Sequence, residues 1–326
     1  MRRPTLEAVA ARAGVSRATA SRVVNGSEAV HAQIRDAVLR AVDELGYVPN
    51  SAARSLVTRR TDSIGLVVSE PPAAEDPLFS VLVRAVSREL EHAGKQVVLM
   101  LASSPAAYAR IERYVAGGHV DGVILVSTHG ADPLPAALAR TQLPVVSYGR
   151  PVATVSLPYC DSDNVGGARA AARHLLDRGR RRVAAIAGPP DMPAGRDRLA
   201  GYRDVLSAAD RRSLVAMGDF TRESGAAAMR QLLLDGPDLD AVFAATDLMA
   251  IGALHTLRRM GRRVPGDVAV VGFDDIEEAR YTDPPLTSVR TPVAAVAKAI
   301  VERLLGQARF AEPTVLPADL IVRESS

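Results

Sequence analysis

Ala13-Gly14-Val15-Ser16-Arg17-Ala18-Thr19-Ala20-Ser21-Arg22-Val23-Val24-Asn25 reads as a turn followed by a short helix, and it decides what the start of the chain builds. Gly14 ends whatever precedes it, Val15 fills the turn, and Ser16 is a good cap for a helix that Asn25-Gly26 then breaks. Ala20, Val23 and Val24 face inward. Arg17, Ala18, Ser21 and Arg22, spaced i, i+1, i+4 and i+5, form the opposite face, where nothing apolar requires them. Upstream, Leu6, Val9, Ala10 and Ala13 fall at i, i+3, i+4 and i+7 behind Thr5 as N-cap. Downstream, Ile34, Val38, Ala41, Val42 and Leu45 mark a third helix, with Gly46 at the position of a left-handed C-cap. The spacing therefore predicts three helices, the first two joined by a glycine-containing turn.

Charge singles out the same region. Residues 1–60 hold ten arginines against five acids, a balance of +5, while the other 266 residues carry 30 basic and 32 acidic side chains, a balance of −2. A basic head on a nearly neutral body suggests that the head meets a polyanion. In a helix-turn-helix, the outward face of the second helix enters the major groove. There Arg17 can fork onto guanine O6 and N7, Ala18 can touch a thymine methyl, and Thr19, Ser21 and Arg22 can hold phosphates or bases. A three-helix module with a solvated face that binds protein is the other reading of these residues.

The stretches Thr5-Leu6-Glu7-Ala8-Val9-Ala10, Ala13 to Asn25, and Leu45-Gly46-Tyr47-Val48-Pro49-Asn50-Ser51-Ala52-Ala53-Arg54-Ser55-Leu56 closely resemble the lactose-repressor/galactose-repressor (LacI/GalR) family of bacterial transcriptional regulators, and the resemblance runs along nearly the whole chain. It implies that Thr5, Ser16 and Asn25 join Arg17, Ala18, Thr19, Ser21 and Arg22 as DNA-facing residues. It implies too that Asn50, Ala53, Arg54 and Leu56 act in a hinge that folds on the operator, with Leu56 as an apolar wedge in the minor groove. Read alone, Leu56 could instead pack against the body where the linker ends. Ala20 departs from the valine usual in the family, which trims the small core by about 1 kcal/mol.

From Ile64 onward, short β-branched runs alternate with helical patterns: 64–68, 96–101, 122–126, 145–147, 183–187, 214–217, 242–245 and 268–273. Continuous apolar strands between helices describe parallel sheets covered on both faces. A break near Pro158 to Gly167 divides them into two sets. The expected fold is α/β: a three-helix helix-turn-helix head plus two doubly wound parallel subdomains of periplasmic-binding-protein type. The divisions are 1–48 for the head, 49–61 for the hinge and 62–326 for the core, its first subdomain about 62–160 plus 290–318 and its second about 161–289 plus 319–326.

Ligands in such folds sit beyond the carboxyl ends of the strands. Ser69, Asp163-Asn164, Thr246-Asp247 and Asp274-Asp275 stand at those ends, and Arg198 opens a helix. Carboxylates, amides and guanidinium groups fork onto adjacent hydroxyls, which suits a polyol or sugar. The resemblance carries effector contact to Arg198, Phe220, Thr246 and Asp274, and also to Phe79, Ser69, Tyr148 and Arg196. Asp163, Asp247 and Asp275 read equally as helix caps, Arg198 as a bridge between helices and Phe79 as core. Thr246 and Gly149 stand where the family often has Asn and Asp, which makes a simple hexose a less secure ligand.

Other classes find little support. The single Cys160 and six scattered histidines give no disulfide or zinc spacing, and no cofactor is expected. There is no phosphate-binding Gly-x-x-x-x-Gly-Lys loop and no Gly-x-Ser-x-Gly elbow after a strand, so catalysis is not expected. No apolar run is long enough to span a membrane, and charge returns too early for a signal peptide, which leads to the expectation of a cytoplasmic protein. The absence of a leader also weighs against the alternative of a sugar-binding transport protein with no DNA role. A homodimer on a near-palindromic double-stranded DNA operator is expected, because one recognition helix covers a half-site; no leucine heptads follow that would build a tetramer.

Overall fold

The structure is a computed structural model that describes residues 4–27, 29–48, 60–69, 77–130, 132–152, 155–306 and 312–326. The chain divides into two units, Met1–Thr61 and Asp62–Ser326.

In the first unit, α1 (Leu6–Ala13), α2 (Arg17–Val24) and α3 (Ala32–Leu45) enclose a core of Val9, Ala10, Ala20, Val23, Val38 and Ala41. The ends are fixed by local chemistry. The Thr5 and Ser16 hydroxyls accept from the amides of Ala8 (3.3 Å) and Thr19 (3.1 Å), and Gly14 and Gly46 take left-handed conformations at φ 67° and 58°. Each satisfies groups that a helix end leaves without partners. Ala20, the departure from valine, is fully buried.

The second unit holds two six-stranded sheets. The first comprises β1 (Ser63–Val68), β2 (Gln96–Leu101), β3 (Gly122–Val126), β4 (Val145–Tyr148), β5 (Tyr159–Ser162) and β11 (Thr314–Leu316), ordered β11-β5-β4-β3-β1-β2 and parallel throughout. The second comprises β6 (Val183–Ala187), β7 (Leu214–Met217), β8 (Ala241–Ala244), β9 (Ala269–Asp274), β10 (Thr287–Arg290) and β12 (Asp319–Ile321), ordered β12-β10-β9-β8-β6-β7, with β12 antiparallel to β10. The inner strands β3, β6, β8 and β9 are buried at every position, as strands covered on both faces must be.

Helices cover both sheets. In the first lobe these are α4 (Pro77–His92), α5 (Pro105–Ala116) and α6 (Leu134–Ala139). In the second they are α7 (Asn164–Asp177), α8 (Pro193–Ala208), α9 (Arg222–Asp235) and α10 (Asp247–Arg259). Helix α11 (Val293–Leu304) follows a strand of the second sheet yet packs with Ile64, Leu66, Leu82 and Val86 in the first lobe. The chain therefore passes between the lobes three times: after β5, after β10 and after β11. It leaves the first sheet after Ser162, slightly beyond the expected boundary.

In each sheet the strand order reverses beside the lobe's first strand. The carboxyl ends flanking those reversals, β1/β3 and β6/β8, are the positions where a doubly wound fold leaves a crevice.

Candidate nucleic-acid interface and ligand cleft

Helix α2 presents Arg17, Ala18, Arg22 and Asn25 to solvent, with Thr19 and Ser21 half-buried beside them. Among the described residues of the unit the outward face is thus solvent-accessible, while Ala20 and Val23 hold the opposite face in the core. Smaller polar groups are tied locally: Ser16 Oγ lies 2.9 Å from Thr19 Oγ1, and Asn25 Nδ2 donates to Ser21 Oγ at 3.3 Å. Arg17 reaches back to α1, its Nε 2.7 Å from Glu7 Oε1. The hinge residues Asn50, Ala53, Arg54 and Leu56 lie outside the described residues.

Between the lobes of the second unit lies a cavity of about 630 Å³, within the range of about 300–1,000 Å³ usual for small-molecule sites. Both strand-order reversals open onto it, through Ser127 to His129 after β3, and through Pro189, Asp191 and Met192 after β6 with Thr246 after β8.

Arg198 and Asp274 form its floor. Arg198 is 6% exposed and donates from Nε to Asn164 Oδ1 (2.9 Å), from Nη1 to the Ala245 carbonyl (2.6 Å) and from Nη2 to Asp274 Oδ1 (3.0 Å). Its guanidinium also lies 3.8 Å from the centroid of the Phe273 ring. Charge, hydrogen bonding and a cation–π contact all stabilise it, which a buried guanidinium requires.

Asp274 and Asp275 adopt φ of 107° and 52°. Backbone strain of this kind costs on the order of 1–3 kcal/mol per residue and persists only where the surroundings enforce it. Asp247 does so from beneath: fully buried, its carboxylate accepts from the Ile276 amide (2.9 Å) and the Ser288 hydroxyl (2.6 Å). Ser288 Oγ in turn accepts from the Asp275 amide (3.1 Å). A Cβ on Gly272 would collide with the Asp247 carboxylate, so the glycine makes its room. From the other side, Asp275 is clasped by Arg290 (2.8 Å) and Arg323 (2.5 Å). Burial, with the nearby Asp274 charge second, pushes the Asp247 carboxyl well above its usual range.

Around the floor stand Phe79, Tyr148 and Phe220. Phe220 sits at φ 70°, and its ring occupies the space a side chain on Gly188 would need. Thr246 lines the cavity while its hydroxyl caps α10 by accepting from the Met249 amide. Two expected contacts fall elsewhere. The buried Ser69 hydroxyl bonds the Asp132 carboxylate and is absent from the described lining. Arg196 is exposed and does not line the cavity, because residues two apart on a helix face nearly opposite ways, and Arg198 holds the inward position. Asp163 caps α7 through the Gly166 amide, as its alternative reading has it.

The rim holds residues that the sequence reading did not single out. His129 Nδ1 in the first lobe lies 2.8 Å from Asp191 Oδ2 in the second, and Arg150 meets Asp197 through Nε (3.2 Å) and Nη2 (2.5 Å). The His129 contact holds the Asp191 carboxyl below its ordinary range, and the Asp197 carboxylate raises Arg150 further. Asp161 also lines the cavity and accepts from the amides of Arg150 and Ser162. Burial still raises its pKa.

Comparisons with known proteins carry the description to its family. Residues 5–50 match the model described as bacterial regulatory proteins, lacI family, and residues 172–326 match a periplasmic binding protein-like domain. The HTH-type transcriptional regulator CelR of Thermobifida fusca is 50% identical, covering 99% of this chain and 98% of its own. The chain belongs to the LacI family. Among solved structures, a transcriptional regulator CelR–cellobiose complex matches this LacI-family chain with a TM-score of 0.78 and 48% identity, over 99% of this chain and 100% of the other. The Lac repressor dimer bound to operator and the anti-inducer ONPF matches with a TM-score of 0.87 and 30% identity, over 99% of each. This LacI-family protein is a DNA-binding transcriptional regulator under effector control, with a helix-turn-helix head and two parallel-sheet lobes. Among its described residues no group of three or more His, Cys, Asp or Glu could hold a metal ion, and no helix is long and apolar enough to cross a membrane.

Proposed function

We propose that this chain is a cytoplasmic, non-catalytic repressor that binds a near-palindromic operator as a homodimer and responds to a glucose-type disaccharide in the cleft. Residues 1–48 act as the head, with α2 in the major groove, and 49–61 as the hinge whose Asn50, Ala53, Arg54 and Leu56 engage the minor groove. Arg198, Asp274, Thr246, Phe79, Tyr148 and Phe220 contact the effector.

The cleft carries this reading: three aromatic side chains line it with a buried Arg198–Asp274 pair in which each guanidinium nitrogen donates a hydrogen bond. Aromatic faces take the apolar side of a pyranose while charged forks take adjacent hydroxyls. At φ 83°, Gly149 leaves open space where a side chain would stand, which favours a ligand larger than one hexose. The CelR–cellobiose complex among the similar structures supports the same class.

Titration of the full chain with cellobiose, glucose and purine bases, followed by thermal unfolding and by binding to a selected operator duplex, tests the reading. Cellobiose is expected to raise the midpoint of unfolding and to weaken operator binding, and the operator must weaken cellobiose binding by the same factor. Duplex affinity is expected to fall steeply between about 50 and 200 mM salt. A response to purines with none to sugars overturns the ligand class; duplex affinity indifferent to salt overturns the DNA role.

A further inference from the structure

Within the basic head, the side chain placed to read a base is already engaged by a carboxylate from a different helix. Arg17 is the first residue of α2, where the partial positive charge of the helix terminus disfavours a cation, and the first turn of α2 contains no acid. The missing counter-charge comes from Glu7 in the first turn of α1, 2.7 Å away at Arg17 Nε. Both side chains are mostly exposed, at 71% and 62%. Such a pair in water contributes about 0–1 kcal/mol, so fold stability gives little reason for an acid on a surface meant for phosphates.

The choice of nitrogen supplies a reason. A guanidinium carries five N–H groups in a rigid plane. A carboxylate on the Nε side leaves the outer edge, formed by Nη1 and Nη2, with two parallel donors, the arrangement that matches guanine O6 and N7. Pinning Nε also removes rotamer freedom that a long side chain otherwise surrenders on binding. Neighbouring Ala18 has no polar group to compete, and Ser21 and Asn25 are bonded to each other. Hydrogen bonds at the start of α1, from the Glu7 backbone first and the Thr5 hydroxyl second, hold the Glu7 carboxyl below its usual range.

We propose that Glu7 is a positioning residue for base recognition: it holds Arg17 by Nε so that the Nη edge meets a guanine, and the pair together specify one G·C base pair in each half-site. This rests on the reading that places α2 in the major groove. Water exclusion at the duplex strengthens the pair that bulk solvent leaves weak. Glu7 also repels phosphates, so it exchanges general affinity for selectivity.

The test uses the full chain and a pool of duplexes with randomised half-sites. The wild type is expected to enrich guanine at one position per half-site, a preference that Arg17→Ala abolishes. Glu7→Ala is expected to lower that same preference about tenfold, within the range a bidentate arginine–guanine contact supplies, while raising affinity for random duplex and leaving other positions unchanged. Glu7→Gln, whose amide oxygen still accepts from Nε, restores most of the preference. An unchanged preference in Glu7→Ala overturns the proposal. So does a loss at a different base pair, which would make Glu7 itself a reader of cytosine N4. A wild type that enriches no sequence sinks the operator reading itself, an outcome distinct from either.

Discussion

The floor and the rim of the cleft both consist of ion pairs, yet they are built oppositely. Arg198 and Asp274 come from one lobe and their side chains are each 7% exposed, with the guanidinium further bonded to Asn164 and Ala245. His129–Asp191 and Arg150–Asp197 join one lobe to the other, and their side chains are 20–51% exposed. The floor is therefore assembled whether the lobes are together or apart, whereas the rim pairs exist only when they approach. Recognition can be organised in advance while closure stays adjustable, a division suited to a hinged switch.

Arg198→Ala should give the largest effect. It strands a buried carboxylate and amide, so stability is expected to fall by about 3–5 kcal/mol in denaturant unfolding, with the effector response lost. Asp274→Asn comes next: the shape is kept, operator binding is unchanged, and effector affinity falls about 10- to 100-fold by calorimetry, as for a hydrogen bond to a charged group.

A subtler effect is expected in pH dependence. Because the Asp247 carboxyl is raised in the folded state, the folded chain retains a proton that the unfolded chain releases. Its contribution to stability is fully present below the unfolded pKa of about 3.9 and is lost as pH rises through the folded value. Asp247→Asn should flatten that slope when unfolding is followed across this range. A slope identical to wild type removes Asp247 as its source.

The smallest change belongs to the rim. Arg150→Gln and Asp197→Asn should each weaken effector binding a few-fold, by about 0.5–1 kcal/mol, with unfolding unaltered. A double-mutant cycle separates a pair acting by closure, where the losses do not add, from direct contact of Arg150 with the ligand, where Arg150→Gln costs more. If either rim variant destabilises the fold as much as Arg198→Ala, the distinction between floor and rim fails.

Legibility in the sequence follows the range of the interactions. The caps at Thr5 and Ser16 and the left-handed glycines Gly14 and Gly46 are local chemistry, and the helices of the head could be read from them. β3 and β6 were readable because strands buried on both faces must be continuously apolar. β5, β10, β11 and β12 were not. The buried hydroxyls of Thr287 and Ser288 are satisfied by the Arg323 amide with Ser326, and by Asp247, and β11 and β12 have three residues each. For the same reason the rim escaped notice: Arg150 and Asp197, or His129 and Asp191, become neighbours only when the lobes are assembled. Asp161, on a short polar strand, gave no periodic signal, and Ser69 and Arg196 lay at plausible sequence positions but are not among the described residues that line the cavity.

The triple passage of the chain between lobes has a consequence for engineering and for inheritance alike. A fragment ending at Ser162 would lack both α11, which fills the first lobe's core, and β11, which borders Cys160. Neither half can be lifted out as one uninterrupted coding segment, so recombination that seeks to exchange ligand preference must trade both lobes together or splice at all three crossings.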